Sequence, residues 1–288
     1  MKTQLLYLLT LSSAALLSAQ STPYSSFNET THPTDPAIAS SNPGIVQWAS
    51  GVVDYSPATN VPLSSSWQNP SNALGAYNTS IVSLGELSAA DIANGVAPGS
   101  ITLSFTQPIY NGAGADLAVF ENGFAFGTPN GLFAEFGFVE VSSNGVDFVR
   151  FPSLSLNDAA LPGGFGSAFS GFDVTNVYNL AGKHSAGFGT PFDFDDLAGD
   201  ALVTSGLVDL DSISFVRIVD IPGDGSFVDS EGNPILDNWA TTGSGGFDLA
   251  AIGAFYASPL AAVPEPETVT LFLGLAALGC VLLGRRKA

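Results

Sequence analysis

The sequence contains one cysteine, Cys280, and it lies in an apolar C-terminal run. No disulfide can therefore staple the rest of the chain, and an exported domain without disulfides needs a substantial core or a bound metal. Basic residues are also scarce: seven Lys and Arg stand against 26 Asp and Glu, for a net charge of −19. Four of the seven, Lys2, Arg285, Arg286 and Lys287, sit at the extreme ends, which leaves Arg150, Lys183 and Arg217 for everything between. Such a surface repels phosphate backbones, which excludes nucleic acid as a partner, and it attracts cations. There are only two histidines, His32 and His184, so most nucleophile–base schemes lack a base. No Gly-x-Ser-x-Gly elbow, His-Glu-x-x-His pair or phosphate loop occurs. Helical periodicity is weak between the termini, and no 20–50-residue repeat is visible, so the central region reads as one non-solenoid domain.

The two ends carry targeting information. Met1-Lys2 is followed by a leucine-rich stretch from Leu5 to Leu17 and then by Ala19-Gln20-Ser21. A basic start, a short apolar region and small residues at the cleavage positions predict a secretory signal peptide over 1–21, removed by signal peptidase. At the other end, residues 268–284 contain no charge. As a transmembrane helix they would span about 25 Å, the short end for a bilayer core of about 30 Å. The cations that follow would hold the C-terminus on the cytoplasmic side of the inner membrane. Pro264, Glu265 and Pro266 keep the preceding chain extended. The order of Pro264-Glu265-Pro266, apolar helix and Arg285-Arg286-Lys287 resembles the PEP-CTERM sorting signal. That resemblance implies recognition by an exosortase-type enzyme, cleavage near the motif, and delivery to the cell surface or an exopolysaccharide matrix of a Gram-negative-type envelope. The signal occupies residues 259–288.

Residues 22–43 are rich in Ser, Thr, Pro and Asn and read as a flexible linker, with His32 solvated. Residues 44–258 read as short strands separated by Gly, Pro, Asn and Asp. Ile101, Leu103 and Phe105 alternate with Thr102 and Ser104; Phe133–Val141 and Val146–Phe151 flank an Asn144-Gly145 turn; Ser212–Ile221 and Phe247–Tyr256 are the longest candidates. This pattern predicts an all-β fold, a single antiparallel β-sandwich of jelly-roll type. Several stretches, among them Ala118-Val119-Phe120-Glu121-Asn122-Gly123-Phe124, Asn179-Leu180-Ala181-Gly182-Lys183-His184 and Ser244-Gly245-Gly246-Phe247-Asp248-Leu249, resemble a family of secreted bacterial cell-surface domains related to discoidin-like and jelly-roll carbohydrate-binding sandwiches. The resemblance implies fold and location rather than a reaction.

The strongest candidate for chemistry is the Asp- and Gly-rich loop from Asp220 to Asp237. Hard cations take six to eight oxygens from such loops. The predicted Ca²⁺ ligands are Asp220, Asp224, Asp229, Glu231 and Asp237, with Asp248 nearby if the flanking strands pair and Glu121 and Asn122 closing the site. A solvated acidic turn is the competing reading. Asp193, Asp195 and Asp196 fit a helix start. Arg150 and Arg217 are expected to pair with carboxylates. Glu135 and Glu140 are an odd number apart, so in a regular strand they face opposite ways, which weakens a glycosidase pair unless a bulge at Gly137 intervenes. Trp67 and Trp239 are candidate sugar contacts, with core roles as the alternative. Together these point to a non-enzymatic surface or matrix protein, exosortase-sorted, with a Ca²⁺-stabilised sandwich that binds glycans. A secreted glycan hydrolase using paired carboxylates, and a spacer with no ligand but the ion, are the alternatives.

Overall fold

The alternating stretch at Ser100–Ile109 and the stretch Ile213–Asp220 form the long strands, whereas the expected Phe247–Tyr256 strand is split into Asp248–Leu249 and Ala251–Ala254. The computed structural model describes residues 23–59, 62–127, 129–157 and 169–259. The expected signal peptide over 1–21 and the expected 268–284 helix of the sorting segment lie outside the described residues. Among those described, no helix is long and apolar enough to cross a membrane. The structure is mostly β, with several antiparallel sheets and a few short helices.

Two five-stranded sheets dominate. One runs in the order Ile38–Ala39, Phe188–Phe192, Leu117–Phe120, Ala251–Ala254, Gln47–Trp48. The other runs Val149–Arg150, Gly137–Ser142, Ile213–Asp220, Ser100–Ile109, Gly51–Ser56. Every pairing within them is antiparallel. One core cluster joins Leu117, Val119, Phe192 and Ile252 of the first sheet to Ile101, Leu103, Val141 and Val216 of the second. Each such side chain, once fully buried, contributes roughly 1.5–3 kcal/mol, which is what stands in for disulfides in this chain.

A second cluster holds Leu132, Phe136, Phe172, Val177, Ile221 and Ile235. It lies under a three-stranded sheet, Phe172–Asp173, Gly131–Phe133, Phe124–Ala125, and the hairpin of Asp224–Val228 with Pro234–Leu236. The stretch expected as one strand from Phe133 is broken: Ala134-Glu135-Phe136 separates Gly131–Phe133 from Gly137–Ser142. Gly137 is tied to Ala181 by two backbone hydrogen bonds, and a Cβ there would stand 2.9 Å from both Ile218 and Phe247. Only glycine fits, and the interruption redirects Glu135.

The lead-in from residue 23 differs from the flexible linker its composition suggests. Ile38–Ala39 pairs with the Phe188–Phe192 strand, and Ser25, His32 and Asp35 are buried. The cause is Lys183, whose side chain has no contact with solvent. It forms an ion pair with Asp35, donates a hydrogen bond to the Val177 carbonyl at 2.8 Å, and faces the Tyr24 ring. Asp35 also accepts from the Ser25 N–H at 2.9 Å and lies 3.0 Å from His32 Nδ1. A buried ammonium requires a counter-ion, and the lead-in supplies it, so His32 is enclosed rather than solvated.

Candidate metal centre and its pocket

Strand ends converge at one place. Glu121 follows the Leu117–Phe120 strand, Glu135 occupies the break after Gly131–Phe133, and Asp248 opens the short Asp248–Leu249 strand that pairs with Val82–Ser83. Glu121, Glu135 and Asp248 are all buried, and their ligand oxygens lie within 4.8 Å of one another. Asp220, at the end of the Ile213–Asp220 strand, Asp237, just after Pro234–Leu236, and Glu86, just after Val82–Ser83, are also buried and interact electrostatically with this set.

Each carboxylate has some protein donors, but too few. Glu121 Oε2 accepts from the Gly123 N–H at 2.5 Å, Glu135 Oε1 from the Thr241 hydroxyl at 2.6 Å, and Asp248 Oδ2 from Asn122 Nδ2 at 3.1 Å. Asp220 Oδ1 accepts from the Phe247 N–H at 2.7 Å and Asp237 Oδ2 from the Phe136 N–H at 2.6 Å. Glu121 Oε1, Asp248 Oδ1 and Asp220 Oδ2 are buried with no hydrogen-bond partner. Among the described residues no Lys or Arg side chain compensates. Arg150 and Arg217 both pair with Glu140, at 2.8 and 2.5 Å, and lie over the Phe138 and Phe148 rings; Lys183 is held by Asp35.

Burial without compensation raises every one of these acids. Desolvation, followed by the charges of Asp220 and Asp237, pushes Glu86 up to about 10. Desolvation first, and the neighbouring carboxylates next, hold Glu121 and Glu135 well above the usual range. Asp237 is raised well above its usual value by desolvation and the Asp220 charge, against the pull of the Phe136 N–H. Asp220 rises to about 7 and Asp248 to about 6, in both cases mainly through desolvation. A buried like-charge set of this kind stays ionised only if a cation neutralises it.

Two members of the triad, Glu135 and Asp248, line a cavity of about 280 Å³. Glu135, Asp248, Asn122, Thr241 and Ser244 provide polar lining, and Phe124, Phe133 and Phe169 provide an aromatic wall. Phe124 and Phe133 stack with centroids 4.8 Å apart, and Phe169 tilts against Phe133 at 5.2 Å.

The expected calcium loop is divided by the fold. Asp220, Asp237 and Asp248 reach the buried acidic set. Asp224, Asp229 and Glu231 do not share its unpartnered oxygens, because local turns occupy them. Asp224 Oδ1 accepts from the Ser226 N–H and hydroxyl, at 2.9 and 2.6 Å. Asp229 accepts from the N–H groups of Ser155, Glu231 and Asn233 and from Asn233 Nδ2. Burial works to raise Asp229, but these four bonds outweigh it and hold the carboxyl below its usual value. Glu231 is exposed at the hairpin tip. Gly223 allows close approach: a Cβ there would sit 1.9 Å from Asp237 Oδ1. Glu121 and Asn122 close the site as the chain order suggests. Glu135 and Glu86 enter it unexpectedly.

The tryptophans do not line the pocket. Trp67 ends the short 3₁₀ helix Ser65–Trp67 and is 38% exposed, while Trp239 is half-buried and donates its Nε1–H to the Leu87 carbonyl at 2.8 Å. Asp193 caps the 3₁₀ turn Phe194–Leu197 as the sequence suggests, accepting from the Asp195 N–H.

Fold and site together define a β-rich, strongly acidic protein with a buried carboxylate centre opening to an aromatic pocket. Its destination comes from the tail: residues 262–287 match the PEP-CTERM protein-sorting motif. The protein is exosortase-sorted, exported through the membrane and bound for the cell surface. A search of curated proteins finds no match to the chain.

Proposed function

We propose that this is a non-enzymatic surface or matrix protein whose two main sheets form a single jelly-roll-like β-sandwich centred on one Ca²⁺, anchored by its C-terminal helix until exosortase processing releases it to the surface. The observation that carries this reading is the triad of buried carboxylates within 4.8 Å, with two unpartnered oxygens and, among the described residues, no Lys or Arg partner. Ca²⁺ binds oxygens at about 2.3–2.6 Å, so ligands on opposite sides of one ion lie up to about 5 Å apart. The triad's oxygens can share one ion as they stand. Mg²⁺ demands near-ideal octahedral geometry and gives up its water reluctantly, which fits a buried, irregular set less well. The ion would act structurally, tying together three strand ends that otherwise repel.

The test is thermal unfolding of the full chain in a neutral detergent, with Ca²⁺, with Mg²⁺ and with chelator. A saturable rise in midpoint specific to Ca²⁺ and lost in the Glu121→Gln/Asp248→Asn double variant is expected. Equal midpoints in all three conditions would remove the calcium from the reading.

A glycan hydrolase is the second reading, and one observation favours it. Glu135 and Asp248 both line the pocket with ligand oxygens no more than 4.8 Å apart, close to the about 5–5.5 Å of retaining glycosidases. Against it stands Glu121, a third carboxylate in the same contact, which a two-acid mechanism does not use. Release of reducing ends from a polysaccharide, abolished by Glu135→Gln, would favour the hydrolase.

A further inference from the structure

The pocket's lining combines aromatic rings, neutral polar groups and two carboxylates, and this combination narrows what it admits. Phe124 and Phe169 are 46% and 65% exposed, which is unusual for phenylalanine on a domain that buries most of its others. Phe133 backs Phe124 in a near-parallel stack at an interplanar angle of 6°, which fixes the outer ring as a flat platform. Asn122, Thr241 and Ser244 present amide and hydroxyl groups. The carboxylates are Glu135 and Asp248, two of the three assigned to the cation.

We propose that the pocket binds a neutral sugar ring, stacked on Phe124 and Phe169 and completing the coordination of the Ca²⁺ with two vicinal hydroxyls. This rests on the calcium reading above. One ligand oxygen from each of the three carboxylates is fewer than the six to eight that Ca²⁺ takes, and two of those carboxylates line the cavity, so ligand hydroxyls would complete the shell. The apolar C–H face of a sugar suits an aromatic platform, while its hydroxyl rim suits the amide and hydroxyl lining. Charge decides the kind of sugar. A divalent ion leaves three ionised carboxylates with a net negative charge. An anionic sugar would meet a negative field, and a neutral one would not.

The experiment is native affinity electrophoresis of the full chain in neutral detergent, through gels containing mannan, galactan or hydroxyethylcellulose, with hyaluronan as the anionic comparison. Each gel is run with Ca²⁺ and with chelator, beside a measurement of the unfolding midpoint. The expected result is retardation by at least one neutral polysaccharide in Ca²⁺, none by hyaluronan, and loss of retardation with chelator. The Phe124→Ala/Phe169→Ala double variant should bind about 10-fold or more weakly, on the scale of two lost aromatic contacts. Its calcium-induced rise in midpoint should remain, which shows that the ion site is still assembled. No retardation in any neutral gel, with the calcium rise intact, overturns the sugar site and leaves the metal reading standing. Retardation that survives the chelator, or that appears with hyaluronan, overturns it as well. Absence of the calcium rise fails the metal reading, and this inference with it.

Discussion

If the acidic centre holds calcium, protons and calcium compete for the same oxygens, and the pH dependence of stability measures that competition. At an effective dielectric of about 20, two charges about 4.8 Å apart repel by roughly 3.5 kcal/mol, so a fully ionised triad would carry on the order of 10 kcal/mol. That is comparable to the whole stability of a domain, about 5–15 kcal/mol. Without a cation the folded protein must keep some of these groups protonated. Their folded pKa values are raised above the unfolded ones, so the folded state binds more protons. Stability is then complete below the unfolded pKa, near 4, and is lost as pH rises through the folded values. Asp248 at about 6 and Asp220 at about 7 fall inside an accessible range. Between pH 5 and 8 the two together cost about 4 kcal/mol at about 1.4 kcal/mol per unit. For a domain of this size that is on the order of 10 °C in Tm. Calcium replaces those protons, adding about 2.7 kcal/mol at one hundred times its Kd, and should flatten the slope. The assay is a set of melting curves from pH 5 to 8, with chelator and with excess Ca²⁺. A chelated protein whose Tm stays level over this range, or a calcium shift no larger at pH 8 than at pH 5, would refute the reasoning.

Other perturbations separate the remaining features. Asp35→Asn leaves the Lys183 ammonium buried without its counter-ion, and about 3–5 kcal/mol should be lost in denaturant unfolding; limited proteolysis should then cut first in residues 23–43. Glu140→Gln removes a partner from two arginines that remain 46% and 35% exposed, so the loss should be smaller, about 1 kcal/mol by the same measurement. Gly223→Ala drives a methyl into Asp237 and should cost about 1–3 kcal/mol, read as a lower denaturant midpoint with unchanged slope. In the producing cell, Pro264→Ala/Glu265→Ala should leave the protein in the membrane fraction with its tail uncleaved, as followed by fractionation and mass spectrometry.

Much of the fold is visible in the sequence because period-two alternation survives in the long strands. Ile101 and Leu103 point inward as written, as do Val216 and Ile218. Asn144-Gly145 turns the chain between Gly137–Ser142 and Val149–Arg150, with Gly145 at φ 77°. The candidate site was partly legible. Asp248, Asp220 and Glu121 are acids beside strand ends, and composition marks such places. Glu135 was hidden by parity, since its side of the strand depends on a break that only the crowding at Gly137 explains. Glu86 carried a different signal: an acid within the apolar run from Ile81 to Leu87 is costly to bury without purpose. Asp229 misled for the opposite reason. An acidic, glycine-rich hairpin tip has a metal loop's composition, yet its backbone N–H groups already use the carboxylate. The aromatic lining of the pocket comes from phenylalanines rather than from Trp67 or Trp239, because surface exposure is set by packing that a single sequence does not record.

The wide separation of the triad along the chain bears on when it can exist. Glu121 and Asp248 belong to segments 127 positions apart, and Asp35 waits for Lys183 across 148 residues. During export the N-terminal acids emerge first, long before the segments that will enclose them. Contacts of such sequence separation form late, so the repelling cluster is assembled only after almost the whole domain has crossed the membrane. The chain thus remains easy to thread while it is being moved. Closure of the acidic centre falls to the far side of the membrane.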